Sequence, residues 1–293
     1  MPSGALWMVE CKLIVRSGNY FEFYVSGCQV HVMNALRRII MSETVTLAIH
    51  DVYINQNTSV LPDEVLAQRL GLIPLRVEPE EIDLAEEAAA TKPDLRRLAR
   101  MTARFKLYAK NTSGDIITLY SKDLICVDRK TVKPVYEQIP IVKLGKDQDV
   151  DIECIAKVGR GKDHAKWSPV STVAYKILPK LAVTDACNSC GNCVDSCPFE
   201  CLKMELGRPV LKGLGLYDCT LCRICVRACS LRALSIEPSN EDFIFRINLI
   251  GQLTIEELLH QSKIIFETKL DDIVRKVEEA LSASGGSEGE KSS

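Results

Sequence analysis

The sequence lacks the features of a membrane protein, of a secreted protein and of a basic nucleic-acid-binding protein. No apolar run approaches the roughly 18 residues that span a bilayer, and the first residues do not have the basic-then-apolar order of a signal peptide. Lys and Arg number 37 against 39 Asp and Glu, for a formal net charge of −2. We therefore expect a cytoplasmic protein that does not enter membranes and makes no direct sequence-specific contact with nucleic acid.

Motifs of catalysis are also missing. Gly159 and Gly161 are not followed by the Gly-Lys-Ser/Thr ending of a phosphate-binding loop, and no Asp-rich cluster of the kind that holds catalytic Mg²⁺ is present. Asp63 and Glu64 resemble the paired carboxylates of an acid–base site. They follow Pro62 and precede an apolar helix, however, which favours helix capping. We expect no catalytic residues in this chain.

Cysteine, by contrast, is abundant. There are 13 cysteines, and nine of them lie in the 43 residues from Cys187 to Cys229. Without a secretory signal, metal binding is favoured over a disulfide framework. The other four are interpreted as small buried hydrophobes: Cys11, Cys28, Cys126 and Cys154.

Two runs with the spacing Cys-x2-Cys-x2-Cys-x3-Cys predict ligands of iron–sulfur clusters. Three closely spaced thiolates can hold three corners of a cubane, while the fourth cysteine of each run reaches the other cluster. One 4Fe–4S cluster is therefore assigned to Cys187, Cys190, Cys193 and Cys229. The second is assigned to Cys197, Cys219, Cys222 and Cys225.

Zinc is the competing metal, because Cys-x2-Cys pairs suit a tetrahedral zinc site. Zinc sites use pairs separated by loops, and two copies of one four-cysteine run favour two clusters instead. Cys201 is left over and is predicted not to be a ligand. Since the cubanes would replace a hydrophobic core, we expect the block at about 185–237 to unfold locally without them.

Outside this block, strand and helix patterns alternate, which predicts an α+β fold. Cys11–Arg16 and Tyr20–Val25 form a predicted hairpin, and a helix is predicted at about 29–42. A short helix is predicted at Leu66–Leu72, an exposed insertion at 78–100 and a compact loop at Gly159–Pro169. Further strands are predicted at Val45–Ile49, Val52–Ile54, Phe105–Ala109, Ile116–Tyr120, Ile152–Val158 and Phe243–Ile247.

The chain is predicted to close with a long helix and a disordered tail. Thr254 and Glu257 have the spacing of a capping box, and an apolar stripe continues from Ile255 to about Leu281, over ~42 Å. The stripe can pack against the helix at 29–42, against a partner chain, or both. Residues 282–293 are rich in Ser, Gly and Glu, which is typical of disorder.

Three separated segments resemble the alpha-like assembly subunits of RNA polymerase. They are Val32–Glu43 (VMNALRRIIMSE), Asn57–Leu75, and the His164-Ala165-Lys166-Trp167 sequence of the 159–169 loop. Together with the cysteine block, they make the chain most similar to the archaeal members of that family, the counterparts of the eukaryotic third-largest polymerase subunit. The resemblance covers most of residues 8–281.

The resemblance implies an architecture and a set of partners. Residues 1–50 and 238–282 would form a split dimerisation domain, 51–184 an inserted strand-rich domain, 185–237 a ferredoxin-like domain and 283–293 the tail. The chain would pair with the smaller subunit L, and the heterodimer would carry subunits N and P and the two large catalytic subunits. No cysteine lies between Val77 and Ile125, where eukaryotic relatives keep a zinc site, so no zinc is expected.

Candidate partner-contacting residues lie on the 29–42 helix, the 159–169 loop and the last helix. They are Asn34, Leu36, Arg37, Arg38, His164, Trp167, Phe266, Leu270, Ile273 and Val277. Arg37 and Arg38 could instead form a solvated helix face. Two other functions stay open: an electron-transfer protein, which the balanced charge of the block disfavours, and a redox sensor that gates assembly.

Overall fold

The computed structural model describes residues 9–78, 84–85, 101–213 and 215–285. It has two compact units, one made of Met1–Ala35 with Val173–Ile247 and one of Leu36–Thr172 with Asn248–Ser293. The described part is a mixed α and β structure in which strands predominate. Most of the predicted insertion at 78–100, and the predicted tail from residue 286, lie outside the described residues. The predicted domain boundaries remain a prediction.

The predicted N-terminal hairpin is confirmed. β1 (Glu10–Ser17) pairs antiparallel with β2 (Tyr20–Ser26) around a turn in which Gly18 takes the positive φ of +57° that tight hairpins require. These strands belong to a four-stranded sheet of order β1-β2-β14-β11, with β11 at Val170–Val183 and β14 at Leu234–Leu249. Every residue of β1 is exposed, so the prediction of a buried Cys11 is wrong.

The scattered thiols otherwise follow the expectation closely. Cys28 and Cys154 are buried, and Cys126 is half-buried. Burial raises the pKa of the Cys154 thiol to about 12, so this thiol stays protonated at neutral pH. These two buried side chains therefore act as small apolar residues of the core.

The predicted helix after the hairpin is also confirmed, as α1 (Val30–Ser42). Its buried residues, Met33, Ile39 and Ile40, recur at helical spacing. The Ser42 hydroxyl donates to the Arg38 carbonyl one turn earlier, at 2.6 Å. Arg38 is exposed, while Asn34, Leu36 and Arg37 are half-buried.

A second four-stranded sheet has the order β3-β10-β5-β7. Its strands are β3 (Val45–Asn57), β10 (Asp149–Arg160), β5 (Thr102–Lys110) and β7 (Ile125–Cys126). The prediction of two separate strands at Val45–Ile49 and Val52–Ile54 is wrong, because β3 runs through both segments. Its register against β10 shifts where Ile155 faces Asp51 and Ala156 faces Ile49, so His50 is the extra residue of a β-bulge.

Two smaller sheets and a helix complete this unit. β4 (Leu75–Arg76) pairs with β8 (Lys133–Pro134), and β6 (Ile117–Tyr120) pairs with β9 (Pro140–Leu144). α2 (Asp63–Gly71) starts earlier than predicted and buries Leu66 and Leu70. Asp63 and Glu64 lie in its first turn, where negative charge is favourable. The prediction that they cap the helix is wrong in detail, since the N-cap is Pro62 and no side chain caps the end.

The predicted long helix is α6 (Ile255–Gly285), with 31 residues and a length of about 46 Å. Its capping box is confirmed: the Thr254 backbone N–H donates to Glu257 Oε2 at 2.7 Å, and the Glu257 N–H donates to Thr254 Oγ1 at 3.2 Å. Arg76 holds the same Glu257 carboxylate with both terminal nitrogens, at 2.7 and 2.9 Å. None of the described helices has the length and apolarity needed to cross a membrane.

Candidate metal centre and partner-contacting residues

The cysteine block connects the end of β11 to the start of β14. It contains the hairpin of β12 (Leu202–Glu205) and β13 (Arg208–Leu211), and the short helices α3 (Asn192–Asp195), α4 (Gly215–Asp218) and α5 (Ile224–Ala228). The Thr184 N–H donates to the Ala233 carbonyl at 2.9 Å, so the chain enters and leaves the block at adjacent points. Apolar burial inside is small and centres on Leu202, Leu234 and Ile236 among the cysteines.

The two cysteine runs fold as a repeat with an offset of 32 residues. In each run the fourth cysteine donates its N–H three residues back, Cys197 to Val194 at 3.1 Å and Cys229 to Val226 at 3.2 Å. Positive φ angles recur at the same offset, in the pairs Ser189 and Leu221, Gly191 and Arg223, and Glu200 and Arg232. Six residues in the left-handed region allow two tight loops to direct their thiols inward.

One cavity, called the first cavity below, is lined by the thiols of three cysteines of the first run and the last of the second. Its volume is about 390 Å³. The cysteines are Cys187, Cys190, Cys193 and Cys229. Met204, Pro209 and Leu234 are among the apolar residues of its wall. The structure thus brings together the four residues that the spacing assigned to one cluster.

A second cavity, of about 340 Å³, has the reciprocal composition. Its lining includes Cys197, Cys219, Cys222 and Cys225, the four residues assigned to the other cluster. Phe199, Leu211, Ile236 and Arg223 are also among its lining residues. Each cavity therefore offers four thiols and an apolar shell, which is the donor set that iron–sulfur cubanes take.

The local environment of the thiols is similar in the two cavities. Burial raises the pKa of Cys193, and the neighbouring Cys190 and Cys229 add to the effect. Burial likewise raises the pKa of Cys225. A metal would offset this cost by binding the thiolate form. The sulfur of the fourth cysteine in each run also accepts a backbone N–H at 3.3 Å. Cys197 accepts from Cys201, and Cys229 accepts from Ala233.

Cys201 lies in the wall of the second cavity, beside the four assigned ligands. Cys201 is 1% exposed. Burial raises the pKa of its thiol to about 12, and Cys197 contributes further to this rise. The Cys201 thiol donates to the Phe199 carbonyl at 3.5 Å. The position corresponds to Ala233 in the repeat. A fifth thiol is therefore present at the second cavity. That Cys201 is not a metal ligand stays a prediction.

No group of three or more His, Cys, Asp or Glu side chains within the described ranges is arranged to hold a metal ion. The block thiols are distributed around two cavities. A zinc ion would require four ligands at about 2.0–2.3 Å from one point. A cubane presents its iron atoms at separate corners and accepts ligands that stand farther apart. The residues present fit cubanes on the chemistry and distribution of their donors.

The 159–169 loop forms a compact site that sequence reasoning identified only in part. Trp167 is 7% exposed and donates its indole N–H to the Lys157 carbonyl at 3.0 Å. The Lys166 ammonium lies 4.5 Å from the Trp167 ring centroid and 3.0 Å from His50 Nδ1. Burial lowers the pKa of both Lys166 and His50. His164 is exposed, and its Nδ1 accepts the Lys166 N–H at 3.1 Å.

No sequence signal pointed to His50, because its position depends on a bulge in β3 and on a loop more than 100 residues away. Trp167, by contrast, is buried and exposes little surface that another chain could contact. The motif His164-Ala165-Lys166-Trp167 thus includes two exposed residues, His164 and Ala165, and one buried anchor, Trp167.

The apolar stripe of α6 divides into a buried part and an exposed part. Ile255, Leu258 and Ile265 are buried, and Phe266 is half-buried. Beyond that point Leu270, Ile273 and Val277 are 49%, 58% and 53% exposed. The first turns are therefore packed inside the chain and the later turns are exposed, and packing of the later turns against a partner chain stays a prediction.

Comparison with known proteins first places the chain in a broad class. The sequence profile of the RNA polymerase Rpb3/RpoA insert domain matches residues 52–179. The profile of a 4Fe-4S binding domain matches residues 184–200 and 216–232, which contain both cysteine runs. These two matches define an RNA polymerase subunit of the alpha-like type that carries an iron–sulfur domain.

The relatives narrow this class further. The chain is 36% identical over 269 residues to DNA-directed RNA polymerase subunit Rpo3 of Methanothermobacter thermautotrophicus, covering 91% of this chain and 98% of the relative. It is 33% identical to the Rpo3 subunit of Pyrobaculum calidifontis, covering 94% and 100%. A eukaryotic relative is DNA-directed RNA polymerases I and III subunit rpac1 of Dictyostelium discoideum, at 34% identity and 89% and 79% coverage. The chain belongs to the family of DNA-directed RNA polymerase subunit Rpo3. This membership does not favour the alternative that the chain is a free electron carrier.

Proposed function

We propose that this chain is a non-catalytic assembly subunit of an archaeal DNA-dependent RNA polymerase and that it acts in the cytoplasm. The observation that carries the proposal is the exposed apolar part of α6 on a chain that matches Rpo3 subunits over nearly its whole length. Assembly subunits work through surfaces rather than through reacting groups. A long helix with an uncovered apolar face is a surface of that kind.

The proposed primary partner is subunit L, bound at the last turns of α6. Leu270, Ile273 and Val277 are separated by three and four residues, so they lie on one face of the helix. Val274 and Leu281, 55% and 66% exposed, extend the apolar surface toward the end of the helix. Packing helices of a partner against this face would remove five large apolar side chains from water, and each contributes favourable free energy in proportion to its buried area.

Further contacts are proposed for the platform on which subunits N and P and the two large subunits assemble. Arg38 and His164 are exposed and can reach another chain. Asn34, Leu36 and Arg37 are half-buried and offer less surface. We assign Trp167 to positioning the 159–169 loop, because its ring is enclosed by its own chain. A direct contact of Trp167 with a partner is not part of the proposal.

The proposed cofactors are two 4Fe–4S clusters in a ferredoxin-like domain at 185–237, one in each cavity and held as the spacing predicts. When bound, each cluster supplies a core for the block and a centre that exchanges one electron. The four assigned thiols of each cavity would hold the metal, and the apolar wall would shield part of it from water. The support is the reciprocal composition of the two cavities. No zinc site is proposed.

Co-expression with a subunit L homologue tests the assembly function. The two chains should elute together from a sizing column at 1:1 stoichiometry after anaerobic purification. The split dimerisation domain, 1–50 with 238–282, should be protected from hydrogen exchange on binding, mainly along α6. Separate elution of two folded chains would contradict the proposal.

A further inference from the structure

The 32-residue repeat makes the two cavities nearly alike and leaves one charged difference among the described residues that line them. Gly191, at φ +78°, lines the first cavity. Its counterpart in the second cavity is Arg223, at φ +60°. Glycine takes a positive φ freely, whereas a residue with a Cβ does so at a cost. Arg223 thus has a positive φ like that of Gly191, although glycine is the residue that adopts this conformation most easily.

Arg223 brings a charged residue to the lining of the second cavity. Arg223 lines this cavity, and its Nη2 lies 3.0 Å from Glu237 Oε2. Glu237 is not among the described residues that line the cavity. Of the two partners of this ion pair, Arg223 alone is among the described residues that line the cavity. Among the described residues that line the first cavity, none is Lys, Arg, Asp or Glu.

Other influences on the two sites are balanced or act in the opposite direction. The backbone N–H bonds to Cys197 and Cys229 have the same length, 3.3 Å. Cys190 and its counterpart Cys222 are both exposed. Cys219 is buried where Cys187 is half-buried, and burial disfavours the additional negative charge of a reduced cluster. The positive charge at the second cavity therefore opposes the effect of burial there.

We infer that Arg223 raises the reduction potential of the cluster held in the second cavity, an influence that the first cavity lacks. This inference rests on the proposed assignment of two clusters. On reduction, one electron passes from an external reductant to the cluster, and no bond is made or broken. A nearby guanidinium stabilises the reduced form, which is the more negative one.

The test is a potentiometric titration of the full chain, purified anaerobically, with dithionite as reductant and electron paramagnetic resonance as the readout. Arg223→Gly restores the residue of the repeat and should lower the midpoint potential of one cluster only. Gly191→Arg adds the charge to the other cavity, at a position where an added Cβ meets no atom within 4 Å, and should raise the other potential. Arg223→Lys should retain most of the native value.

The matched control is Arg232→Gly. Arg232 is also an exposed arginine at a positive φ, +52°, and it is not among the described residues that line either cavity. The shifting signal is assigned with Cys190→Ser and Cys222→Ser, which remove one ligand from each cavity. The inference alone would be overturned if Arg223→Gly and Arg232→Gly shifted the midpoint potentials equally. It would also be overturned if neither variant shifted them. Fewer than two reducible clusters in the unmodified protein would overturn both the inference and the two-cluster assignment.

Discussion

The Nζ atom of Lys269 lies 2.6 Å from Oε1 of Glu43, and this pair marks the point on α6 beyond which its apolar side chains are exposed. On the near side, the Gln261 side chain accepts the Val45 N–H at 2.9 Å, and Ile265 is buried. On the far side the stripe continues through Leu270 and Ile273, which are 49% and 58% exposed. The Lys269 side chain is 52% exposed and the Glu43 side chain 17%, so the pair lies at the edge of the buried part of the helix.

The first prediction concerns the exposed part of this stripe. Leu270→Asp combined with Ile273→Asp should leave a folded chain, since both side chains are about half exposed already. The same change should weaken pairing with a subunit L homologue by about 30-fold or more, because losing the burial of two large side chains costs on the order of 2–4 kcal/mol. Isothermal titration calorimetry measures the effect.

The control for this change keeps an apolar surface at the same positions. Leu270→Met with Ile273→Leu should bind with nearly native affinity, because volume-conserving apolar exchanges are tolerated. If the double aspartate variant binds subunit L as tightly as the control, the exposed stripe is not the pairing surface.

The second prediction concerns the packing of Trp167. A Cβ atom added at Gly159 would overlap Cε2 and Cδ2 of the Trp167 ring, which is held by its hydrogen bond to Lys157. Gly159→Ala should therefore lower the free energy of unfolding by about 1–3 kcal/mol. Gly114→Ala is the matched control, because a Cβ there meets no atom within 4 Å. Equal denaturant midpoints for the two variants would show that the indole can move aside.

Local patterns predicted the local structure well. The capping box of Thr254 and Glu257 and the hairpin at Gly18 depend on residues three or fewer positions apart, and both are present. The helical period of residues 29–42 likewise predicted α1, because its buried face repeats with the turn of the helix. In each case the side-chain chemistry and the backbone geometry are set within one turn.

Features that depend on distant segments were missed. Separate strands were predicted at Val45–Ile49 and Val52–Ile54, but pairing with β10 carries β3 through a bulge at His50. The position of Lys166 beside His50 joins residues 116 apart and has no sequence signal. Cysteine spacing is an exception, because a repeated run constrains both halves of a site at once. The four cysteines assigned to each cluster lie together in the lining of one cavity, with Cys201 as a fifth at the second, while their role as ligands stays a prediction.

The third prediction concerns the independence of the cysteine block. Because Thr184 and Ala233 are joined by a backbone hydrogen bond, residues 185–232 can be replaced by a two-residue linker without separating β11 from β14. The shortened chain should contain no iron and should still pair with a subunit L homologue, since α6 lies outside the block. Analytical ultracentrifugation measures the pairing. A folded deletion variant that no longer pairs would show that the block supports the partner surface directly.

The last prediction concerns how many clusters bind and where. Anaerobically reconstituted protein should contain about eight iron atoms per chain, as two cubanes require. Cys190→Ser and Cys222→Ser each remove one exposed ligand from one cavity, so each variant should retain about four iron atoms after gel filtration, with the other cluster intact. Cys201→Ser should keep about eight, because its thiol is not an assigned ligand. The control outside the block is Cys126→Ser, which should also keep about eight. Iron and acid-labile sulfide are measured together, because zinc in place of iron, or a total near four in the unmodified protein under strict anaerobiosis, would contradict the two-cluster assignment.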